Sequence, residues 1–137
     1  MLKFIRAFRG AHVINGPVTR RSYSKMLHSM EKDRPVEYSI SSKLNKMFEP
    51  KHLQVINESH KHNVPKGSET HFKVVVVSEK FENVSLLNRH RMVNDVLQDE
   101  LNTGVHALSV VAKTPSQWEN SDQTILPSPA CRGGFGK

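Results

Sequence analysis

The run THFKVVVVS, residues 70–78, constrains the fold more than any other segment of this 137-residue chain. Its β-branched residues lose side-chain freedom in a helix and pack well on a pleated sheet, so it reads as a strand. The flanking segments then limit the topology. Upstream, HLQVIN (52–57) alternates weakly and reads as another strand, and the eleven residues 59–69 between the two are too many for a tight hairpin turn. Downstream, SLLNRHRMVNDVLQDEL (85–101) carries Ser85 at a helix N-cap and an apolar stripe of Leu86, Val93, Leu97 and Leu101, with His90 on the same face. Gly104 ends that helix, and VHALSVVAK (105–113) reads as a third strand. Ahead of all three strands, Pro35 opens PVEYSISSKLNKMF, where Ile40, Leu44, Met47 and Phe48 follow helical spacing until Pro50 stops the pattern. TPSQWENS (114–121) is a short closing helix, with Thr114 at its cap and Pro115 at its first position.

The order is therefore helix, strand, strand, helix, strand, helix, an α+β arrangement, with a short extra helical turn near 80–85. The first two strands are joined directly and pair antiparallel. The second and third are separated by a helical crossover and run parallel where they are neighbours. The starts of strands two and three then share one edge of the sheet, and the long loop ends at that edge. NESHKHNVPKGSETHF (57–72) brings His60, His62 and His71 there, three of the eight histidines of the chain, and His106 begins the third strand. His62 and His106 converge on this topology although 44 residues separate them.

Charge is unevenly spread. Residues 1–23 hold Lys3, Arg6, Arg9, Arg20 and Arg21 and no acid, whereas from Ser24 onward 15 Lys and Arg meet 13 Asp and Glu. Phe4, Ile5 and Phe8 oppose Lys3, Arg6 and Arg9 on a helical wheel. An acid-free, Arg-rich amphipathic start has the make-up of a mitochondrial transit peptide, and RRSYS resembles a matrix-protease site cut after Tyr23. The alternative is a basic tail that touches nucleic acid. One cysteine, Cys131, excludes an intramolecular disulfide framework and a Cys-rich zinc module. No apolar run approaches the length that crosses a bilayer.

The runs VINESHKHNVPKGSETHFKVVVVS, LNRHRMVNDVLQDEL and VHALSVVAKTPSQW together resemble the BolA family, most closely its mitochondrial type-one members. The resemblance covers roughly residues 36–121 and rests on GSETHF, RHR and VHAL followed by TPxQW. It implies a class II KH-like αββαβα fold, a three-stranded mixed sheet with helices on one face. The organisation expected is a transit peptide (1–23), a linker (24–34), a BolA-like domain (35–121) and a disordered Pro-, Ser- and Gly-rich tail (122–137). The resemblance also implies a role in iron–sulfur cluster assembly in the mitochondrial matrix. A monothiol glutaredoxin and glutathione would be the partners, with a 2Fe–2S cluster shared among them, and iron–sulfur client proteins or targeting factors would be further partners. In type-one members a loop histidine and one at the start of the third strand are ligands, and those positions match His62 and His106. His60 is an addition to the pattern and leaves the loop ligand open between His60 and His62.

The donor chemistry agrees: two histidines can hold one iron of a 2Fe–2S centre, and this chain offers no suitable cysteine pair, so the other ligands come from outside. His71, at the mouth of a strand, fits a structural hydrogen-bonding role, and His90 a core position. Zinc held by His60, His62 and His71 is the competing metal reading, and Cys131 in the tail is an unremarkable free thiol. No nucleophile–base pattern and no glycine-rich phosphate loop points to an enzyme. A KH-like nucleic-acid module, the rival function, needs a GxxG loop between helices, and EKFENVS (79–85) has no glycine; GGFG (133–136) lies in the tail. No membrane association is expected. N-terminal sequencing of the mature protein checks the leader: cleavage between Tyr23 and Ser24 is the expected outcome, and an intact Met1 overturns it.

Overall fold

The computed structural model describes residues 20–129. Its elements are α1 (Arg20–Asp33), α2 (Pro35–Phe48), β1 (His52–Asn57), β2 (His71–Val77), α3 (Leu86–Val96), α4 (Gln98–Thr103), β3 (Ala107–Lys113) and α5 (Pro115–Glu119), with helical turns at Ser59–Lys61 and Glu79–Phe81. β2 is the middle strand of three, antiparallel to β1 and parallel to β3. The α+β order and the mixed three-stranded sheet expected from the sequence are both present.

Strand periodicity sorts the sheet into two faces. Phe72, Val74 and Val76 of β2, flanked by Leu53 and Val55 of β1 and by Leu108, Val110 and Ala112 of β3, face α2 and α3. There they meet Ile40, Leu44 and Phe48 of α2 and Val93 and Leu97 of α3, and the Phe48 ring lies 5.1 Å from that of Phe81. Each such large side chain contributes about 1.5–3 kcal/mol on burial. The second face is covered as well, since Val75 and Val77 are fully buried. Trp118 reaches it from α5, stacking on His52 at 4.7 Å with the Lys113 ammonium 5.6 Å from its ring. A central strand buried on both faces is why residues 74–77 are an unbroken valine run rather than an alternation.

Several expectations differ in detail from the structure. Residues 24–33, read as linker, belong to α1: no Gly or Pro interrupts them, and the helix stops at Arg34, which the following Pro35 drives out of helical geometry (φ −141°, ψ 68°). The expected cut after Tyr23 falls inside α1; residues 1–19 of the expected leader lie outside the described residues. The helix expected over 85–101 breaks at Leu97 into α3 and α4. Leu86, assigned to its apolar stripe, is exposed, as is Met47 of α2. Arg89 takes the inward position instead: it is buried and donates to the Val84 carbonyl (2.8 Å), the Ala112 carbonyl (3.4 Å) and the Gln117 side chain (2.8 Å). His90 is half-buried beside it and is not part of the core.

Residues 122–129 carry no helix or strand, as their composition implies, yet they are tied to the domain; 130–137, including Cys131, lie outside the described residues. The Lys73 ammonium, on the second sheet face, donates to the Leu126 carbonyl, and the Ser128 amide donates to the Glu58 carboxylate (3.2 Å). Burial works to raise the Glu58 pKa, but the bonds from Ser128 and the Lys61 ammonium outweigh it and hold the carboxyl at about 2. A carboxyl depressed from its ordinary 4.5 adds stability that is complete above 4.5 and is lost as pH falls toward 2. Urea unfolding across that window is expected to show this loss in the parent protein and a flatter profile in Glu58→Gln.

The start of α2 is capped from a distance. Arg34 offers no side-chain cap; instead the Glu69 carboxylate accepts from the amides of Val36 (3.2 Å) and Glu37 (3.0 Å). The acceptor sits at the positive end of the helix dipole, where a negative charge is favoured. This contact clamps the GSET end of the long loop to the helix layer. Glu69→Ala is expected to lower stability by about 1 kcal/mol, the ordinary cost of a lost N-cap, measured as a shift in the urea midpoint with unchanged slope.

Candidate metal centre

Asn57 ends β1 by turning its side chain along the loop: its Oδ1 accepts from the Ser59 amide (3.0 Å) and its Nδ2 donates to the Ser68 carbonyl (3.0 Å). Ser59, buried, then places its hydroxyl oxygen where it accepts from the amides of both Thr70 (3.0 Å) and His71 (3.1 Å). The Glu58 amide donates to the His71 carbonyl (2.8 Å). At the far end of the loop, Ser68 returns its amide and hydroxyl to the Pro65 carbonyl, and Gly67 takes the left-handed conformation (φ +85°) that this turn requires. The loop is thus closed on itself by hydrogen bonds at both ends.

β3 joins the same place. The Thr70 carbonyl accepts from the amides of His106 (2.7 Å) and Ala107 (3.2 Å), and His71 stands in register with Ala107. The sheet edge inferred from the topology therefore does collect histidines. The His62 and His71 rings stack at 3.8 Å with an interplanar angle of 16°. The His71 and His106 rings lie 6.4 Å apart, tilted by 32°. His60, on the helical turn Ser59–Lys61, is exposed and makes no ring contact with this group. The geometry thus separates the two loop histidines that the sequence left as alternatives: His62 joins the cluster.

The His71 ring has the hydrogen bond anticipated for it, to the Thr70 hydroxyl at 2.8 Å. The sequence reading missed that it also lies between His62 and His106; strand alternation alone carries no signal for ring stacking across a loop. Burial lowers the His71 pKa below the ordinary imidazole value, and the neighbouring His62 and His106 lower it further. The ring is neutral at neutral pH and retains a lone pair. The Nδ1 of His62 is enclosed and has no hydrogen-bond partner, an arrangement that costs free energy as it stands.

This donor set fits part of a metal site. Imidazole nitrogens suit iron and zinc, and the unpartnered His62 ring has bonding capacity unused within the protein. Among the described residues no three His, Cys, Asp or Glu side chains converge as closely as a metal ion requires. His60, exposed on its helical turn, stands apart from the stacked His62 and His71 rings, so the three rings of the zinc alternative are not gathered here. His52, which the sequence reading passed over, lies at the opposite end of β1, where burial lowers its pKa beneath the Trp118 ring.

Comparison with known proteins agrees with this architecture. The family model described as BolA-like protein matches residues 44–117. The chain is 44% identical over 129 residues to BolA-like protein 1 of Mus musculus, covering 94% of this chain and 93% of that protein. It is 50% identical over 94 residues to the DNA-binding transcriptional regulator BolA of Escherichia coli, covering 69% of this chain and 90% of the relative. Among solved structures, BolA1 from Mus musculus superposes with a TM-score of 0.62 at 49% identity, covering 72% of this chain and 80% of that one. With a family model spanning more than half its length and relatives matched over nearly their whole length, this chain belongs to the BolA family.

Proposed function

We propose that this chain is an iron–sulfur cluster assembly factor of the mitochondrial matrix, working as a heterocomplex with a monothiol glutaredoxin and glutathione. His106 and His62 are the ligands it contributes to a shared 2Fe–2S cluster. The observation that carries this reading is the gathering of His62, His71 and His106 at one sheet edge. The cluster, when bound, would supply iron that accepts the imidazole donors of His62 and His106. His106 follows the Thr70 carbonyl that anchors its amide, and its side chain is exposed, as a ligand shared with another protein must be. His62 approaches from the loop. Two imidazoles leave half the coordination open, and the glutaredoxin cysteine and glutathione thiol fill it.

The name of the Escherichia coli relative favours a second reading, DNA binding. Two features weigh against it. Arg89, the first arginine of NRHR, is spent on internal carbonyls rather than free for phosphate, although Arg91 is exposed. From Ser24 onward the charge is nearly balanced, with 15 basic against 13 acidic residues, which leaves little of the footprint that drives phosphate binding.

Coexpression with a monothiol glutaredoxin in the presence of glutathione tests the proposal. A coloured complex with a visible circular dichroism spectrum unlike that of the glutaredoxin homodimer is expected. His106→Ala abolishes that spectrum, His62→Ala weakens it, and His60→Ala alone leaves it intact. The chain alone, reconstituted anaerobically, stays almost colourless. An unchanged spectrum in His106→Ala overturns the ligand assignment, and a colourless mixture with salt-dependent DNA binding favours the second reading.

A further inference from the structure

A ligating histidine is ordinarily oriented by a hydrogen bond from its second ring nitrogen to a carboxylate, a carbonyl or water. His62 has no such partner among the described residues: its enclosed Nδ1 is unbonded. Its backbone is held, the amide donating to the Ser59 carbonyl (3.0 Å) and the carbonyl accepting from Val64 (2.8 Å). The ring itself has one specific neighbour, the His71 imidazole stacked on it at 3.8 Å. His71 is held at its backbone and at one ring nitrogen. Its amide donates to Ser59 and its carbonyl accepts from Glu58, while its ring Nδ1 is bonded to the Thr70 hydroxyl.

We infer that His71 is a positioning residue: its fixed ring is the platform that sets the plane of the His62 imidazole, by stacking rather than by a hydrogen bond and without ligating metal. This rests on the proposed ligand role of His62. A flat aromatic face restricts tilt but allows in-plane rotation, so His62 is held in a plane while retaining freedom to meet a donor site that forms only when the partner docks. The small angle between the rings, 16°, supports a platform over a shared metal site, because two imidazoles converging on one ion through their nitrogens splay apart instead of lying face to face. His71 and His106 are tilted at 6.4 Å, so the platform acts on His62 alone.

The experiment uses the glutaredoxin–glutathione complex and compares cluster lifetimes after challenge with a chelator. His71→Ala is expected to shorten the lifetime by roughly three- to ten-fold, the range that corresponds to loss of one aromatic pair. His71→Phe, which keeps a flat ring and has no nitrogen, restores it. The His62→Ala, His71→Ala double variant is no worse than His62→Ala, because a residue acting only through another loses its effect when that other is gone. In the free protein, nuclear magnetic resonance of the His62 ring protons reads the stack directly: the upfield ring-current shift is present in the parent and in His71→Phe, and absent in His71→Ala. A His71→Phe variant that folds, keeps the His62 shift and is as labile as His71→Ala overturns the proposal in favour of direct ligation by His71. An unchanged lifetime in His71→Ala overturns it outright. Failure of the underlying ligand reading is separable, because it appears as an unchanged spectrum in His106→Ala whatever happens at His71.

Discussion

The Ser59 hydroxyl accepting two successive backbone amides, those of Thr70 and His71, is the interaction on which the histidine cluster depends. The eleven residues 59–69 lose conformational entropy when their ends are held together, and an open loop of that length would leave His62 to sample many positions. Ser59 offsets that cost by giving both amides a buried acceptor. Without it, two donors would sit beside the sheet edge unsatisfied, at about 1–3 kcal/mol each. The same stretch of backbone then serves β3, because the Thr70 carbonyl accepts from His106 and Ala107. One dipeptide thereby sets the relative positions of a loop histidine, a strand histidine and the residue that opens the third strand.

Electrostatics around the cluster follow from what is left uncharged. His71 is kept neutral by burial and by two imidazole neighbours, so the stack is not a pair of repelling cations at neutral pH. The carboxylates at the two ends of the loop are both engaged, Glu58 by Lys61 and the Ser128 amide and Glu69 by the Val36 and Glu37 amides. A free carboxylate beside the rings would favour their protonated forms and compete for any metal. The engagement of Glu58 ties the local charge balance to residues 122–129, so the segment past α5 is part of the setting of the loop.

Much of this was legible because periodicity and topology are robust readings. The valine run of β2, the Ser85 and Thr114 caps and the helical crossover determine which strands pair and in which direction, and that alone brings residues 62 and 106 to one edge. What was not legible depends on three-dimensional partners. No pattern marks Glu69 as the cap of a helix 32 residues earlier, and none marks Arg89 as a core residue, since its burial depends on carbonyls at Val84 and Ala112 that only the packed sheet supplies. Leu86 was misassigned for the same reason: the Arg89 side chain occupied the inward slot. The helix of α1 was not legible because mixed charge describes an exposed helix as well as it describes coil.

On the proposed reading, the exposure of these side chains explains how half a site could be a stable arrangement. A complete metal site within one small domain must enclose its ligands, and each enclosed imidazole needs a partner for both nitrogens. Here His71 is half-buried with one ring nitrogen bonded to Thr70, and His106 is left in water. His62 is the exception, half-buried with one nitrogen unbonded. That deficit falls on a ring that stacking can hold without a hydrogen bond. A partner that supplies an electron-pair acceptor at this edge gains from groups already gathered there, and most of the ordering entropy of the loop has been met in folding.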